Sequence, residues 1–119
     1  WGTCAGMILL AKEIVNENFT HFATMDISVR RNAYGSQLNS FNSYTSIPEV
    51  SEDKIEMIFI RAPWVEKVYG EAKTLAEINK KIVAVKQKNM LATSFHPELT
   101  NDLSFHRYFI KMINDESRV

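Results

Sequence analysis

The only cysteine of this 119-residue chain, Cys4, stands at the centre of the sequence Gly-Thr-Cys-Ala-Gly, residues 2–6. This spacing is typical of a nucleophile elbow with cysteine in the serine position, where a strand precedes the nucleophile and a helix follows it. Residues 7–15 are rich in helix formers and predict that helix. A helix N-terminus at Cys4 would favour the thiolate and lower the pKa of the thiol. The pattern therefore predicts a reactive cysteine.

A second group that could do chemistry is His-Pro-Glu at residues 96–98, directly after a predicted strand. A histidine at the end of a strand can reach a site built on neighbouring strand ends. Glu98 could hold the imidazole of His96 in one tautomer and stabilise its charged form. With Cys4, these residues would supply a nucleophile, a base and an orienting carboxylate. The combination indicates acyl transfer through cysteine.

Each motif also has a simpler interpretation. A lone cysteine is commonly a small buried hydrophobic residue, and a lone His-x-Glu is commonly a surface histidine or one with its hydrogen bonds satisfied. Zinc binding is the other chemistry open to His-x-Glu, but the zinc deaminase pattern also requires Pro-Cys-x-x-Cys, which this chain lacks. The joint presence of both motifs favours cysteine chemistry over a chance match.

Composition is that of a folded domain, with 45% hydrophobic and 24% charged residues and a formal net charge of +0. Neutral charge gives no electrostatic reason to expect nucleic acid or an acidic membrane as partner. A single cysteine excludes an internal disulfide and suits a reducing compartment, so we expect a cytoplasmic protein. No apolar run approaches the ~20 residues of a membrane helix.

The elements that must position the candidate residues alternate along the chain. The patterns predict strands at residues 25–30, 41–47, 55–60 and 74–78, a turn at 32–36, a hairpin of 81–87 with 90–95, and a terminal helix at 101–114. Thr100 or Asn101 could cap the terminal helix, with Asp102 in its first turn.

Four segments, residues 1–11, 25–37, 59–64 and 92–100, resemble class I, triad-type glutamine amidotransferases. His-Pro-Glu is shared by many members of that superfamily. The sequences Arg-Asn-x-x-Gly-x-Gln, from Arg31, and Ile-Arg-Ala-Pro, from Ile60, are more specific. They are similar to the branch of glutaminases that serves pyridoxal 5'-phosphate (vitamin B6) synthases.

The resemblance implies a role for each matching position. Its site residues are Cys4 as nucleophile, His96 and Glu98 as the remainder of the triad, and Arg31, Ile60 and Arg61 as residues that hold the substrate glutamine. The planar fork of arginine suits a carboxylate. The alternative for each arginine is a surface ion pair, worth ~0–1 kcal/mol.

The resemblance also implies a fold and an activity. The fold is a three-layer, flavodoxin-like α/β domain, incomplete at the N-terminus, with residues 1–119 as the C-terminal part of a single glutaminase domain. The activity is hydrolysis of L-glutamine through a cysteine thioester. The ammonia passes to a pyridoxal 5'-phosphate synthase subunit in a hetero-oligomer. No cofactor and no metal ion are expected on this chain.

The chain departs from the family in one respect. Relatives carry an N-terminal half with a Gly-Gly loop before a Glu-Ser pair, and that loop offers a backbone amide to the oxyanion. Because these residues contain no counterpart, we expect the 119 residues to be a fragment that is inactive by itself. Two alternatives stay open: a glutaminase serving another synthase, and a non-catalytic fragment that docks on a synthase.

Overall fold

The computed structural model describes residues 1–31 and 40–116 of the chain. The elements, in chain order, are β1 (Gly2–Thr3), α1 (Ala5–Leu10), β2 (Ala11–Ile14), β3 (Met25–Arg30), β4 (Ser40–Thr45), β5 (Ile55–Ile60), β6 (Trp64–Val68), β7 (Lys73–Ile78), β8 (Lys81–Gln87), β9 (Met90–Thr93), a 3₁₀ helix (Pro97–Leu99) and α2 (Ser104–Glu116). The turn predicted at residues 32–36 lies outside the described residues. No helix in the described part of the chain is both long and apolar enough to cross a membrane.

Seven strands form one mixed sheet in the order β1-β9-β8-β6-β3-β2, with β7 added on β8. β1 runs parallel to β9, and β2 runs parallel to β3. The hairpin of β8 and β9 is antiparallel, as predicted. β4 and β5 form a separate antiparallel pair.

Apolar side chains fill both faces of the sheet. On one face, α1 covers a core that includes Met25 and Ile27 of β3. On the other face, β5 and α2 enclose a second core, in which Phe95 makes T-shaped contacts with Phe59 at 5.7 Å and Phe105 at 5.1 Å between ring centroids. Consecutive residues of a strand point to opposite faces, which explains why β9 contributes to both cores. The predicted α/β fold is therefore confirmed.

The first helix is shorter than predicted. The sequence pattern predicted a helix over residues 7–15, but α1 ends at Leu10 and the chain continues at once as β2. Ala11 and Ile14 are buried in the core beneath α1, and the Val15 amide donates to the Val29 carbonyl at 2.9 Å. Pairing with β3 therefore overrides helix propensity, which is a weak preference that tertiary contacts commonly reverse.

Two further elements differ from the prediction. β6, which no pattern indicated, lies between β3 and β8 in the sheet. The terminal helix begins at Ser104 rather than at residue 101, because the Asp102 carboxylate accepts a hydrogen bond from the Ser104 amide at 2.9 Å. Thr100 instead accepts a hydrogen bond from the Asp102 amide, at 3.1 Å. Asp102 thus fills the capping role that was predicted for Thr100 or Asn101.

The buried carboxylate of Asp26 links β3 to neighbouring segments of the chain. Asp26 of β3 is only 8% exposed. One of its oxygens receives a hydrogen bond from the Lys12 ammonium at 2.5 Å, and the other receives one from the Glu71 amide at 2.9 Å. The Asp26 amide donates to the Gln87 side chain at 2.8 Å. The Lys12 hydrogen bond, followed by that of Glu71, holds the pKa of Asp26 below its usual value.

The close packing of α1 on β1 depends on a glycine. A Cβ at Gly2 would lie 2.4 Å from both the carbonyl carbon and the oxygen of Gly6, and 2.9 Å from the Met7 nitrogen. A Cβ at Gly6 would meet nothing within 4 Å. Of the two glycines that flank Cys4 in the motif, only Gly2 stands where a side chain would clash.

We therefore expect opposite effects from the same substitution at the two glycines. Gly2→Ala forces β1 and α1 apart and should lower the free energy of unfolding by about 1–3 kcal/mol. Gly6→Ala, inside α1, should raise it by about 0.5–1 kcal/mol. Urea unfolding of the two variants and the parent checks this. Equal effects of the two substitutions would contradict the packing argument.

Candidate active site

The nucleophile elbow predicted around Cys4 is present. β1 leads into Cys4, which has the left-handed φ of 53° with ψ of −104°, and α1 starts at the next residue. Such a conformation is uncommon outside glycine and is found at functional turns. The Cys4 amide donates to the Thr93 carbonyl at 2.7 Å, and the Cys4 carbonyl accepts from the Met7 amide at 3.0 Å. Hydrogen bonds of its amide and its carbonyl thus fix the main chain of Cys4. The half-buried thiol projects from the turn.

The parallel pairing of β1 with β9 brings the second motif to the elbow. Gly2 pairs with Ala92 and Thr3 with Thr93, so that the chain leaving β9 runs beside the chain leaving β1. His96 comes three residues after β9, and its Nδ1 lies 2.7 Å from a carboxylate oxygen of Glu98. This contact is the orienting hydrogen bond that the sequence predicted between the two residues.

The end of β5 forms a third side of the site. The His96 amide donates to the Ile58 carbonyl at 2.8 Å, which ties β5 to the segment after β9. Two residues later, the Ile60 carbonyl accepts a hydrogen bond from the Cys4 thiol at 3.8 Å. Arg61 follows with a left-handed φ of 46° and is exposed. Cys4, His96, Ile60 and Arg61 are therefore all at the junction of three segments.

The electrostatics of the thiol differ from the sequence-based expectation. Burial raises the pKa of Cys4 above its usual value, and the negative charge of Glu98 raises it further. A hydrogen bond from the Ala5 amide, at the start of α1, lowers the pKa but does not outweigh burial. The prediction that the helix start would leave Cys4 with a lowered pKa is therefore wrong. The raised pKa favours the thiol form, which donates its hydrogen bond to the Ile60 carbonyl.

This arrangement can carry out acyl transfer if a base removes the thiol proton. Because Glu98 lies at Nδ1 of His96, that nitrogen is the donor and Nε2 is left as the acceptor. The tautomer is inferred from the hydrogen bond with the carboxylate. The Ala5 amide is directed at the sulfur, the position from which the residue after an elbow nucleophile stabilises an oxyanion. The elbow thiol, the Ala5 amide and the His96–Glu98 pair thus lie at neighbouring strand ends, and their catalytic roles stay predictions.

Arg31 lies apart from this group. It directly follows β3, which is separated from β1 in the sheet by β9, β8 and β6. Its Nε donates to a carboxylate oxygen of Glu17 at 2.7 Å. Within the described residues, no hydrogen bond or ion pair links Arg31 to Cys4, His96 or Glu98. Its predicted contact with substrate stays a prediction.

The described residues contain no group of three or more His, Cys, Asp and Glu side chains arranged to hold a metal ion. His96 has Glu98 as its partner, and the other two histidines lie elsewhere, His21 in the loop after β2 and His106 in α2.

Sequence reasoning missed the contact between the thiol and the Ile60 carbonyl. No side-chain pattern could have revealed it, because the acceptor is a main-chain atom and its position depends on how β5 meets the segment after β9. The one local signal was Pro63, which ends the strand region shortly after Ile60. Pro63 indicates where a strand ends but not which residues contact that end.

Comparisons with known proteins agree with the geometry. The chain matches the SNO glutamine amidotransferase family over residues 1–115. It is 60% identical over 112 residues to the pyridoxal 5'-phosphate synthase subunit PdxT of Caldanaerobacter subterraneus subsp. tengcongensis, an alignment that covers 94% of this chain and 59% of that protein. For the PdxT of Ruminiclostridium cellulolyticum the identity is 59% over 113 residues, covering 95% and 60%.

A solved structure described as a crystal structure of glutamine amidotransferase superposes on this chain with a TM-score of 0.85 and 39% sequence identity. The superposition covers 93% of this chain and 58% of that one. The chain therefore spans less than two thirds of the length of the relatives and of the structure that it matches.

The raised pKa of Cys4 predicts slow alkylation at neutral pH. Because the thiolate is the reactive form, the rate constant for iodoacetamide should still be rising above pH 9.0, the usual value for a thiol. Cys4 is the only cysteine of the sequence, and mass analysis of the peptide that contains it separates its alkylation from that of lysines and histidines. Free N-acetylcysteine, measured in the same buffers, is the control. A rate constant for Cys4 that levels off at lower pH than that of the control would contradict the burial argument.

Proposed function

The chain belongs to the SNO glutamine amidotransferase family, and from this premise we propose that the protein hydrolyses L-glutamine to glutamate and ammonia at Cys4. The observation that carries the proposal is the elbow thiol beside a histidine–carboxylate pair at the ends of β1 and β9. We propose further that the ammonia is delivered to a pyridoxal 5'-phosphate synthase subunit, since the similar proteins are named as subunits of that synthase.

The first half of the reaction forms a thioester. His96 Nε2 takes the proton from the Cys4 sulfur, and the sulfur attacks the carbonyl carbon of the glutamine side-chain amide. The Ala5 amide stabilises the oxyanion that develops. The imidazolium, held by Glu98, then gives its proton to the departing nitrogen, which leaves as ammonia. Because the pKa of the thiol is raised, the nucleophilic thiolate requires a base that takes the proton.

The second half of the reaction releases glutamate. His96, neutral again, takes a proton from a water molecule as that water attacks the thioester carbonyl. The bond between carbon and sulfur breaks, the imidazolium returns a proton to the sulfur, and glutamate leaves. Glu98 holds the imidazole in the same tautomer through both halves of the cycle.

Glutamine itself is held, in this proposal, by Arg31, Ile60 and Arg61. The Ile60 carbonyl lies against the thiol and can accept from a donor of the bound substrate once the thiol proton has left. Arg61 is adjacent and exposed, so that its guanidinium can pair with a substrate carboxylate. Arg31 would exchange its ion pair with Glu17 for the substrate.

We propose that residues 1–119 act as the C-terminal part of a single glutaminase domain. In the described residues, β1 is paired only with β9 and is the end strand of the sheet. A cysteine that must stay reduced to act as nucleophile is also consistent with a cytoplasmic protein. The synthase complex would be a hetero-oligomer.

Substitution of the triad provides the main test of this function. Cys4→Ser should abolish ammonia release while leaving binding to the synthase subunit intact, because serine lacks the nucleophilicity of a thiolate. His96→Asn should lower kcat by about 10²–10⁴-fold with a smaller effect on KM. The matched control is His21→Asn, which replaces an exposed histidine of the loop after β2. Synthase binding with no ammonia release by the parent protein would favour the non-catalytic alternative.

The two arginines should affect substrate binding rather than chemistry. Removing a charged hydrogen bond to the substrate carboxylate, worth about 1.5–3 kcal/mol, should raise KM for glutamine by about 10- to 100-fold in Arg31→Ala and Arg61→Ala. Arg107→Ala, on the exposed side of α2, is the control. A glutamine titration measures all three. An unchanged KM in either site variant would remove that arginine from the binding site.

A further inference from the structure

Thr93 hydrogen-bonds both the segment that carries Cys4 and the segment that leads to His96. It is the last residue of β9 and has no exposed surface. Its carbonyl accepts from the Cys4 amide at 2.7 Å. Its hydroxyl accepts a hydrogen bond from the Trp1 indole at 3.1 Å and donates one to the Phe95 carbonyl at 3.3 Å.

The two bonds of the hydroxyl fix different parts of the site. On the nucleophile side, β1 has only two residues, and Trp1 anchors its start through the hydroxyl of Thr93 and through ring contacts with His106 and Phe109 at 5.1 and 5.5 Å. On the base side, the bond to the Phe95 carbonyl sets the path of the chain immediately before His96. Thr93 therefore bonds to a residue on each side of the site, Trp1 before the elbow and Phe95 before His96.

Main-chain bonds pair β1 with β9, and the Thr93 hydroxyl adds bonds to the Trp1 side chain and the Phe95 carbonyl. The Ser94 amide bonds to the Val83 carbonyl at 2.8 Å, and the His96 amide bonds to Ile58. Those bonds attach the segment to β8 and β5, but neither of them reaches β1. The Ser94 hydroxyl points away, towards the Met7 sulfur at 3.6 Å.

We propose that Thr93 is a positioning residue for the reaction, whose hydroxyl holds the elbow of Cys4 and the segment of His96 in register. The proposal rests on the proposed function. Thr93 does not contact the reacting atoms, and it acts through the segments that carry them. The expected consequence of losing the hydroxyl is a misplaced base and a more hydrated thiol, with little effect on the affinity for glutamine.

The experiment compares Thr93→Val, Thr93→Ser and Ser94→Ala in the protein assayed with the synthase subunit. Thr93→Val removes the hydroxyl and keeps the branched shape. Its kcat should fall by about 10- to 100-fold, as small displacements of reacting groups do, with KM little changed. Thr93→Ser should restore kcat to near that of the parent. Ser94→Ala removes an equally buried hydroxyl one residue away and should leave kcat unchanged.

Alkylation of Cys4 by iodoacetamide gives a readout that does not require glutaminase activity. Thr93→Val should be alkylated faster than the parent well below the unfolding temperature, because a loosened elbow hydrates the thiol, whereas Thr93→Ser and Ser94→Ala should match the parent. If the parent releases no ammonia, the proposed function fails and the alkylation rates alone decide the role of Thr93. Three results would each overturn the proposal. Thr93→Val could be alkylated at the parent rate, Ser94→Ala could lose kcat as Thr93→Val does, or Thr93→Ser could fail to keep kcat near that of the parent.

Discussion

The parallel pairing of β1 with β9 is the interaction on which the site depends. It joins residues that are about ninety positions apart in the chain, Gly2 with Ala92 and Thr3 with Thr93, and it continues into the bond between the Cys4 amide and the Thr93 carbonyl. Parallel neighbours end at the same edge of a sheet, so the proposed nucleophile after β1 and the proposed base after β9 lie at the same edge. Gly2 lets α1 pack against this short strand, which keeps the elbow tight.

Burial has two consequences for the chemistry. It raises the pKa of Cys4, which favours the neutral thiol over the thiolate. The same burial strengthens the hydrogen bonds that the Ile60 carbonyl and the Ala5 amide make with the sulfur. The Glu98 carboxylate accepts a hydrogen bond from Nδ1 of His96 and so orients the imidazole that we propose as the base. Reactivity therefore depends on the assembled site rather than on the cysteine alone.

Local sequence patterns predicted the elements in which buried and exposed residues alternate at the spacing of a strand or a helix. Strands β3, β5 and β7, the hairpin of β8 and β9, and α2 all lie where alternation or helical spacing indicated, within a few residues. The exceptions are segments whose secondary structure depends on pairing with strands distant in the sequence. β2 is a strand because β3 lies beside it, although its sequence favours a helix. β6 has charged residues among its apolar ones, and it becomes a strand by pairing with β3.

The sequence by itself determined the chemical types at the site and the family. The elbow pattern around Cys4 and the pair of His96 and Glu98 are encoded within short segments, because the turn and the hydrogen bond involve near neighbours in the chain. Only the tertiary structure decided what surrounds the thiol: the Ile60 carbonyl, the net direction of its pKa shift, and the bonds of Thr93 to both sides of the site. These depend on burial and on main-chain atoms from strands far apart in sequence, which no local pattern specifies.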